Sequence, residues 1–322
     1  MFKIISHKKI YATVGAVVVL ASIAIVSIFG LKMGIDFTGG SLTEVAYESR
    51  PDKSLVEEKL DSLDLGGYSL RQSVDDSGRD GYILRTKDLN EEERQTVGAS
   101  VISVGEDGEI TRFTSIGPVI GQELQDKALW AIGGVAVVII LYVAFAFAGI
   151  GKPVSSWVYG GITILALIHD VLVPTALMSV LGLLFGVEVD VLFVMALLAV
   201  LGYSVNDTIV VFDRVRENLI KYRQEHKKTV NVTGGMKREE VSYTFNKPFS
   251  EIVEESVNQT ILRSINTSLT TALALVALYV VGGSVTQTFA LILLAGVFAG
   301  TYSSIFLASP LLILYADKKA KK

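Results

Sequence analysis

Cysteine is absent from the 322-residue chain, which removes disulfides, thiolate nucleophiles and thiolate-bound zinc. Histidine is nearly absent, and His7, His169 and His226 stand too far apart to form a metal-ligand spacing. Charge is scarce, at 19% of residues against about one quarter in an ordinary soluble domain. The net charge is −4, and no stripe of Arg and Lys is interleaved with aromatics, so nucleic acid is not the expected partner. No Gly-x-x-x-x-Gly-Lys-Ser/Thr loop signals a nucleotide motor, and no Gly-x-Ser-x-Gly elbow or Gly-x-Gly-Asp pairing signals a protease. The expectation is therefore a chain that is not an enzyme and carries no metal or cofactor. Apolar residues are what is plentiful: they make up half of the chain, and its mean hydropathy is +0.49.

A hydrocarbon core about 30 Å thick takes roughly 20 apolar residues at about 1.5 Å each. Six runs of that length occur, at 10–31, 128–149, 156–182, 191–212, 261–281 and 288–315. The first exceeds the apolar region of a signal peptide, about 7 to 15 residues, and reads as a retained anchor. With six spans, the basic clusters fall on one side of the bilayer: Lys3, Lys8 and Lys9; Lys152; Arg214, Arg216, Lys221 and Arg223; and Lys318, Lys319, Lys321 and Lys322. The opposite connections carry Glu188 and Asp190, or no base at all over 282–287. The positive-inside rule then places both termini in the cytoplasm.

The expected organisation is an N-terminus and first span over 1–31, an extracytoplasmic domain over 32–127, spans two to four over 128–213, a cytoplasmic loop over 214–260, spans five and six over 261–315 and a basic tail over 316–322. Residues 32–127 hold 20 acidic and 11 basic side chains, a formal charge of −9, so this segment faces water. Its periodicity predicts strands over 41–48, 68–74, 81–86 and 109–115 and helices over 53–64 and 90–104, with a turn from Asp76 to Gly81. The order βαββαβ is that of a ferredoxin-like α/β domain. Without a ligand motif it reads as a partner-binding or lever domain. The loop after the fourth span mixes basic and acidic residues around Gly234 and Gly235, and reads as a solvated excursion that is helical near its ends.

A charged side chain inside hydrocarbon costs about 2.5 to 3.5 kcal/mol on insertion scales, so ionisable residues within spans are functional candidates. Asp207 lies in span four, accompanied by Tyr203 and Asn206. Arg263 opens span five, ahead of Asn266, Thr267 and further hydroxyls. At about 1.5 Å per residue, Asp207 is about 8 Å and Arg263 about 3 Å from the same membrane face. A cation favours the ionised carboxylate and burial favours the neutral one, the balance a proton carrier uses. A static ion pair, or an Arg reaching out to the headgroups, fits the residues equally well. In span three, His169 and Asp170 are adjacent and point about 100° apart, so they are not expected to face one partner. An interhelical hydrogen bond that fixes packing is their simplest role. Gly296-x-x-x-Gly300 reads as close helix packing.

Five stretches, in order, give a resemblance. They are Gly34-Ile35-Asp36-Phe37-Thr38-Gly39-Gly40; Ser115-Ile116-Gly117-Pro118-Val119-Ile120-Gly121; Ala166-Leu167-Ile168-His169-Asp170-Val171; the run from Gly202 to Asn218 that contains Asn206-Asp207 and Phe212-Asp213-Arg214; and Arg263-Ser264-Ile265-Asn266-Thr267-Ser268. In these the chain resembles the SecF family of the bacterial SecDF protein-export complexes, within the resistance-nodulation-division superfamily. The resemblance implies a multi-pass subunit of the bacterial inner membrane, with SecD, the SecY/SecE/SecG channel, YajC and a translocating preprotein as partners. It implies use of the proton or sodium gradient in late steps of translocation that do not depend on SecA. Carried over by motif, Asp207 is the ion-binding carboxylate, Arg263 its cationic neighbour, and Asp36, Gly39 and Gly40 a structural junction after span one. The loop after Asn218 is longer than the family leads one to expect. Two alternatives stay open, an ion-coupled exporter half of the same superfamily and a passive scaffold subunit.

Overall fold

A computed structural model describes residues 3–75, 77–147, 153–231 and 237–320. Asp76, Gly149, Lys152, Gly234, Gly235, Lys321 and Lys322, used in the reading above, lie outside them. A 3-10 turn, Ile5–His7, leads into helix α1, Lys8–Phe29, and a single-turn helix α2, Ile35–Thr38, follows. Next come β1 (Gly40–Ala46), α3 (Lys53–Asp61), β2 (Tyr68–Val74), β3 (Asp80–Thr86), α4 (Glu91–Ile102) and β4 (Glu109–Ile116). Helices α5 (Pro118–Ala146), α6 (Ser156–Phe185) and α7 (Val191–Lys221) precede a ribbon of β5 (Arg223–Asn231) and β6 (Lys237–Phe245). The chain ends with α8 (Phe249–Val281), α9 (Ser284–Tyr302), a π-helical turn over Ser303–Ala308, and α10 (Ser309–Ala320). Among the described residues six helical stretches are long and apolar enough to cross a bilayer, the sixth combining α9, the π turn and α10.

The spans split by environment. Helices α6 and α7 and the last span are the most buried, whereas α1 and α5 present large apolar side chains outward, Trp130 being 82% and Phe145 81% exposed. An outward apolar surface of this kind is matched by lipid. At one end of the bundle, Phe147, Tyr159 and Phe212 form an aromatic knot, with ring centroids 5.1 to 6.0 Å apart. Residues near both termini lie at this end as well: Lys8 Nζ pairs with Asp317 Oδ2 at 2.6 Å, and the Ile5 amide donates to Glu254.

At the other end sits an antiparallel sheet of order β2-β3-β1-β4. Val45, Tyr47, Leu70, Tyr82 and Leu84 pack beneath α3 and α4 against Val56, Leu60, Val97 and Val101. Paired residues share a face, so Arg71, Ile83, Glu44 and Arg112 form one row across the uncovered side, with Arg85, Leu42 and Thr114 in the next. That side faces the span ends, and Arg85 forms an ion pair with Glu188 of the α6–α7 connection.

Three features differ from the sequence reading. Helix α5 begins at Pro118, ten residues before the expected span, because Pro at the first helical position after Gly117 is preset for a helix. The loop after span four, read as a solvated excursion helical near its ends, contains a two-stranded ribbon between the extended ends of α7 and α8. The last span, expected over 288–315, carries a π turn at Ser303–Ala308. Pro174 lies inside a continuous α6.

Candidate functional site

Helix α7 puts Ser204, Asp207 and Thr208, three and four residues apart, on its buried side. Asp207 is 4% exposed. Its carboxylate faces the hydroxyl of the neighbouring Ser264 on α8. A carboxylate buried at a helix contact with one hydroxyl beside it is costly in hydrocarbon. Arg263 stands next to Ser264 but on the exposed side of α8, and it forms no ion pair with Asp207 among the described residues. The two side chains share a neighbourhood without pairing.

The accompanying polar residues divide between two surfaces. Asn206 is exposed on α7, and Arg263, Asn266, Thr267 and Thr270 form one exposed stripe on α8 at helical spacing. Tyr203 turns inward instead: its hydroxyl donates to Ser268 at 3.2 Å, and Ser268 bonds Thr301 of α9 at 2.5 Å.

His169 and Asp170, expected to point apart, meet directly: Nδ1 lies 2.8 Å from Oδ1, both residues at most 2% exposed. Both side chains are short-stemmed, and turning about χ1 closes the angle between adjacent positions. The other carboxylate oxygen of Asp170 accepts from Ser204 of α7 and, at 2.7 Å, from Ser303 of the π turn. Beside it Thr208 bonds Ser304 at 2.8 Å. One carboxylate therefore ties α6, α7 and the last span together. The sequence reading missed Ser303 and Ser304; the consecutive hydroxyls Tyr302-Ser303-Ser304 within an apolar run were the available signal. The extra residue of a π turn, a feature common at functional sites, aims both serines at the network. Where a Cβ would stand on Gly296 and Gly300, Val200 and Ser204 of α7 already lie 2.1 and 2.9 Å away, so these glycines let α9 reach this contact.

After span one, the Asp36 carboxylate accepts the Val191 amide at 2.9 Å, and Asp190 accepts the Phe193 amide at 2.8 Å, so two acids hold the positive end of α7. Gly39 and Gly40 have φ of +74° and +127°. A Cβ on Gly39 would fall 2.7 Å from the Pro118 Cα, one on Gly40 2.6 Å from the Thr86 carbonyl oxygen, and one on Gly121 2.8 Å from the Gly39 amide. Two of the motifs thus meet where sheet, α2 and α5 join. Among the described residues no cluster of three or more His, Asp or Glu could hold a metal ion.

Comparison with known proteins gives matches along nearly the whole chain. The model of the C-terminal part of the SecD/SecF protein export membrane proteins matches residues 96–237 and 228–318, and that of the SecD/SecF GG motif matches 24–49. The protein translocase subunit SecF of Sebaldella termitidis is 36% identical over 97% of this chain and 91% of its own length. That of Anaerolinea thermophila is 36% identical over 98% and 94%. The crystal structure of SecDF, a translocon-associated membrane protein from Thermus thermophilus, superposes with a TM-score of 0.78 at 29% identity, over 98% of this chain. The chain spans 39% of that longer polypeptide. With relatives matched along nearly their whole length and the GG motif at the junction of sheet and spans, the chain belongs to the SecF family of protein translocase subunits.

Proposed function

We propose that this chain is the SecF half of a SecDF-type unit that uses the proton or sodium gradient to assist late, SecA-independent steps of preprotein movement through a SecY/SecE/SecG channel, with YajC as a further associate. The observation that carries the reading is Asp207, a buried carboxylate with Ser264 as its polar neighbour, next to a stripe of exposed polar side chains on a membrane helix. In this reading Asp207 takes up and releases the coupling ion, Arg263 biases its charge state, and a SecD subunit covers the stripe. One charge moved across 100 mV supplies about 2.3 kcal/mol, enough to shift a two-state swing several tens of fold. The sheet domain is the swinging part. Its strand order and its two helices on one face fit a ferredoxin-like domain. It lies outside the inner membrane, with both termini and the β5–β6 ribbon in the cytoplasm, as the basic clusters favour.

The test is export of a reporter preprotein by membranes that contain wild type or Asp207→Asn at equal levels, with the ion gradient intact or collapsed. The expected result is loss of the gradient-dependent part of export while Asp207→Asn still copurifies with SecD. Unchanged gradient dependence would make Asp207 structural and the chain a passive scaffold at this point.

A further inference from the structure

The sheet domain meets the spans through two unlike contacts. One is an apolar pedestal: α2 lies along the start of α5, and Phe37 of α2 is buried with Met178, Val189 and Phe193. The strands take no part in that cluster, and their own core lies on the opposite side, under α3 and α4. The other contact is polar and loosely filled. The uncovered side of the sheet borders a cavity of about 120 Å³, roomy enough for water, with Ile83 and Arg85 on the sheet side and Glu188, Leu192 and Phe289 on the span side. Across it Arg85 pairs with Glu188, the side chains being 18% and 14% exposed. Burial, and then the charge of Arg71, push Arg85 down to about 10, while Asp190 and Asp36 of the base pull it the other way. Glu188 stands on a firm support, since the backbone of Val189 beside it bonds Lys32 and Gly34 at 2.7 and 2.8 Å.

The chain passes between sheet and spans at 39–40 and at 117. Because Gly40 pairs with Ile116, these links lie side by side at one corner of the sheet. A body tethered at one corner, and otherwise resting on a polar contact, can turn about its links. An ion pair suits such a contact, because both charges regain water when they part, whereas parted apolar faces gain nothing. Glu188 also lies three residues ahead of α7, the helix that carries Asp207, so a tilt of α7 moves it directly. We propose that Arg85 and Glu188 form a releasable latch: closed, as here, it holds the sheet domain down on the α6–α7 connection, and its opening lets the domain turn about the links at 39–40 and 117. The latch rests on the function proposed above, in which Asp207 drives a swing of this domain.

The test uses the full chain in membranes with its SecD-type subunit. The chain has no cysteine, so Val74→Cys and Phe185→Cys supply two lone thiols at exposed positions across the groove along the edge strand β2. A short bis-methanethiosulfonate joins them while the domain is down, and a reductant parts them again. In this background Arg85→Glu sets two acids face to face, and the cross-linking yield is expected to fall roughly fivefold. Adding Glu188→Arg restores the pair with its charges exchanged and is expected to restore the yield, which also shows that the variant chain folds. With Arg85 and Glu188 intact, cross-linking is expected to abolish the gradient-dependent part of reporter export, and reduction to return it. A yield that ignores Arg85→Glu, or that the exchanged pair does not restore, overturns the latch. So does undiminished gradient-dependent export by the cross-linked chain, which would make the pair a permanent brace. If Asp207→Asn keeps its gradient dependence while the yields follow the charges and cross-linking still stops export, the latch stands and the role given to Asp207 fails.

Discussion

Gly40 shows how much a single backbone position decides here. Its φ of +127° is unfavourable for any side chain, and a Cβ would meet the Thr86 carbonyl oxygen at 2.6 Å, in the next strand of the sheet. Gly40→Ala is expected to lose about 1–3 kcal/mol, read as a lower midpoint of thermal unfolding. Gly133→Ala in α5 is the contrast: a Cβ there meets nothing within 4 Å, so helix propensity raises the midpoint or leaves it unchanged. Asp170 is the polar counterpart. Asp170→Asn keeps the shape but replaces an ionised acceptor by a neutral amide, so the two serine hydroxyls lose a charge-assisted bond and the His169 ring must present its other tautomer to the new NH2. The expected loss is about 1–3 kcal/mol, and a double-mutant cycle with Ser303→Ala should show strong coupling between the two. Additive losses would mean that the Ser303 bond contributes nothing.

Helix α4 is an element whose ends the local sequence specifies. Asn90 accepts the Glu93 amide at 2.9 Å while Glu93 accepts the Asn90 amide at 3.0 Å, a complete capping box, and three acids fill the first turn. Asn90→Ala is expected to lose about 1 kcal/mol of local stability, seen as faster amide exchange through α4. Hydrogen bonds from Arg94 and then Gln95 hold Glu91 down to about 2, from 4.5. A lowered carboxylate stabilises the fold above its unfolded value, so this support is complete above pH 4.5 and fades as pH falls toward 2. The Arg94→Gln chain should lack that acid-dependent part of the α4 exchange. The spans were legible in the sequence for a comparable reason, since each is a long apolar window that no tertiary contact has to explain. What was not legible has physical causes. The β5–β6 ribbon has charged residues along both strands and no apolar face for periodicity to detect. The π turn adds one residue to a helical repeat, which shifts Ser303 and Ser304 to a face that a 3.6-residue count does not assign to them.

At the scale of the molecule, the bilayer surface is uneven. Most of α1 and α5 is apolar and suited to lipid, whereas α8 shows Arg263, Asn266, Thr267 and Thr270 in one exposed line. Residue types at these positions were readable from the sequence, but not their division between an inward Ser264 and Ser268 and an outward stripe, because that depends on how α8 is rotated against α7 and α9. Left against hydrocarbon, such a stripe is expensive; against another helix it becomes an adhesive surface, worth about 0.6 to 2 kcal/mol per hydrogen bond. Substituting Asn266→Leu and Thr270→Leu together removes polar groups that, among the described residues, bond no other helix; the Thr270 hydroxyl donates only to the Thr267 carbonyl of α8 itself. The isolated chain is therefore expected to unfold at the same temperature or higher. Copurification of a SecD-type subunit is expected to fall, because the stripe is the surface such a subunit would cover. If the double variant instead loses thermal stability with copurification unchanged, the stripe serves this chain's own helices, and the partner surface lies elsewhere on the bundle.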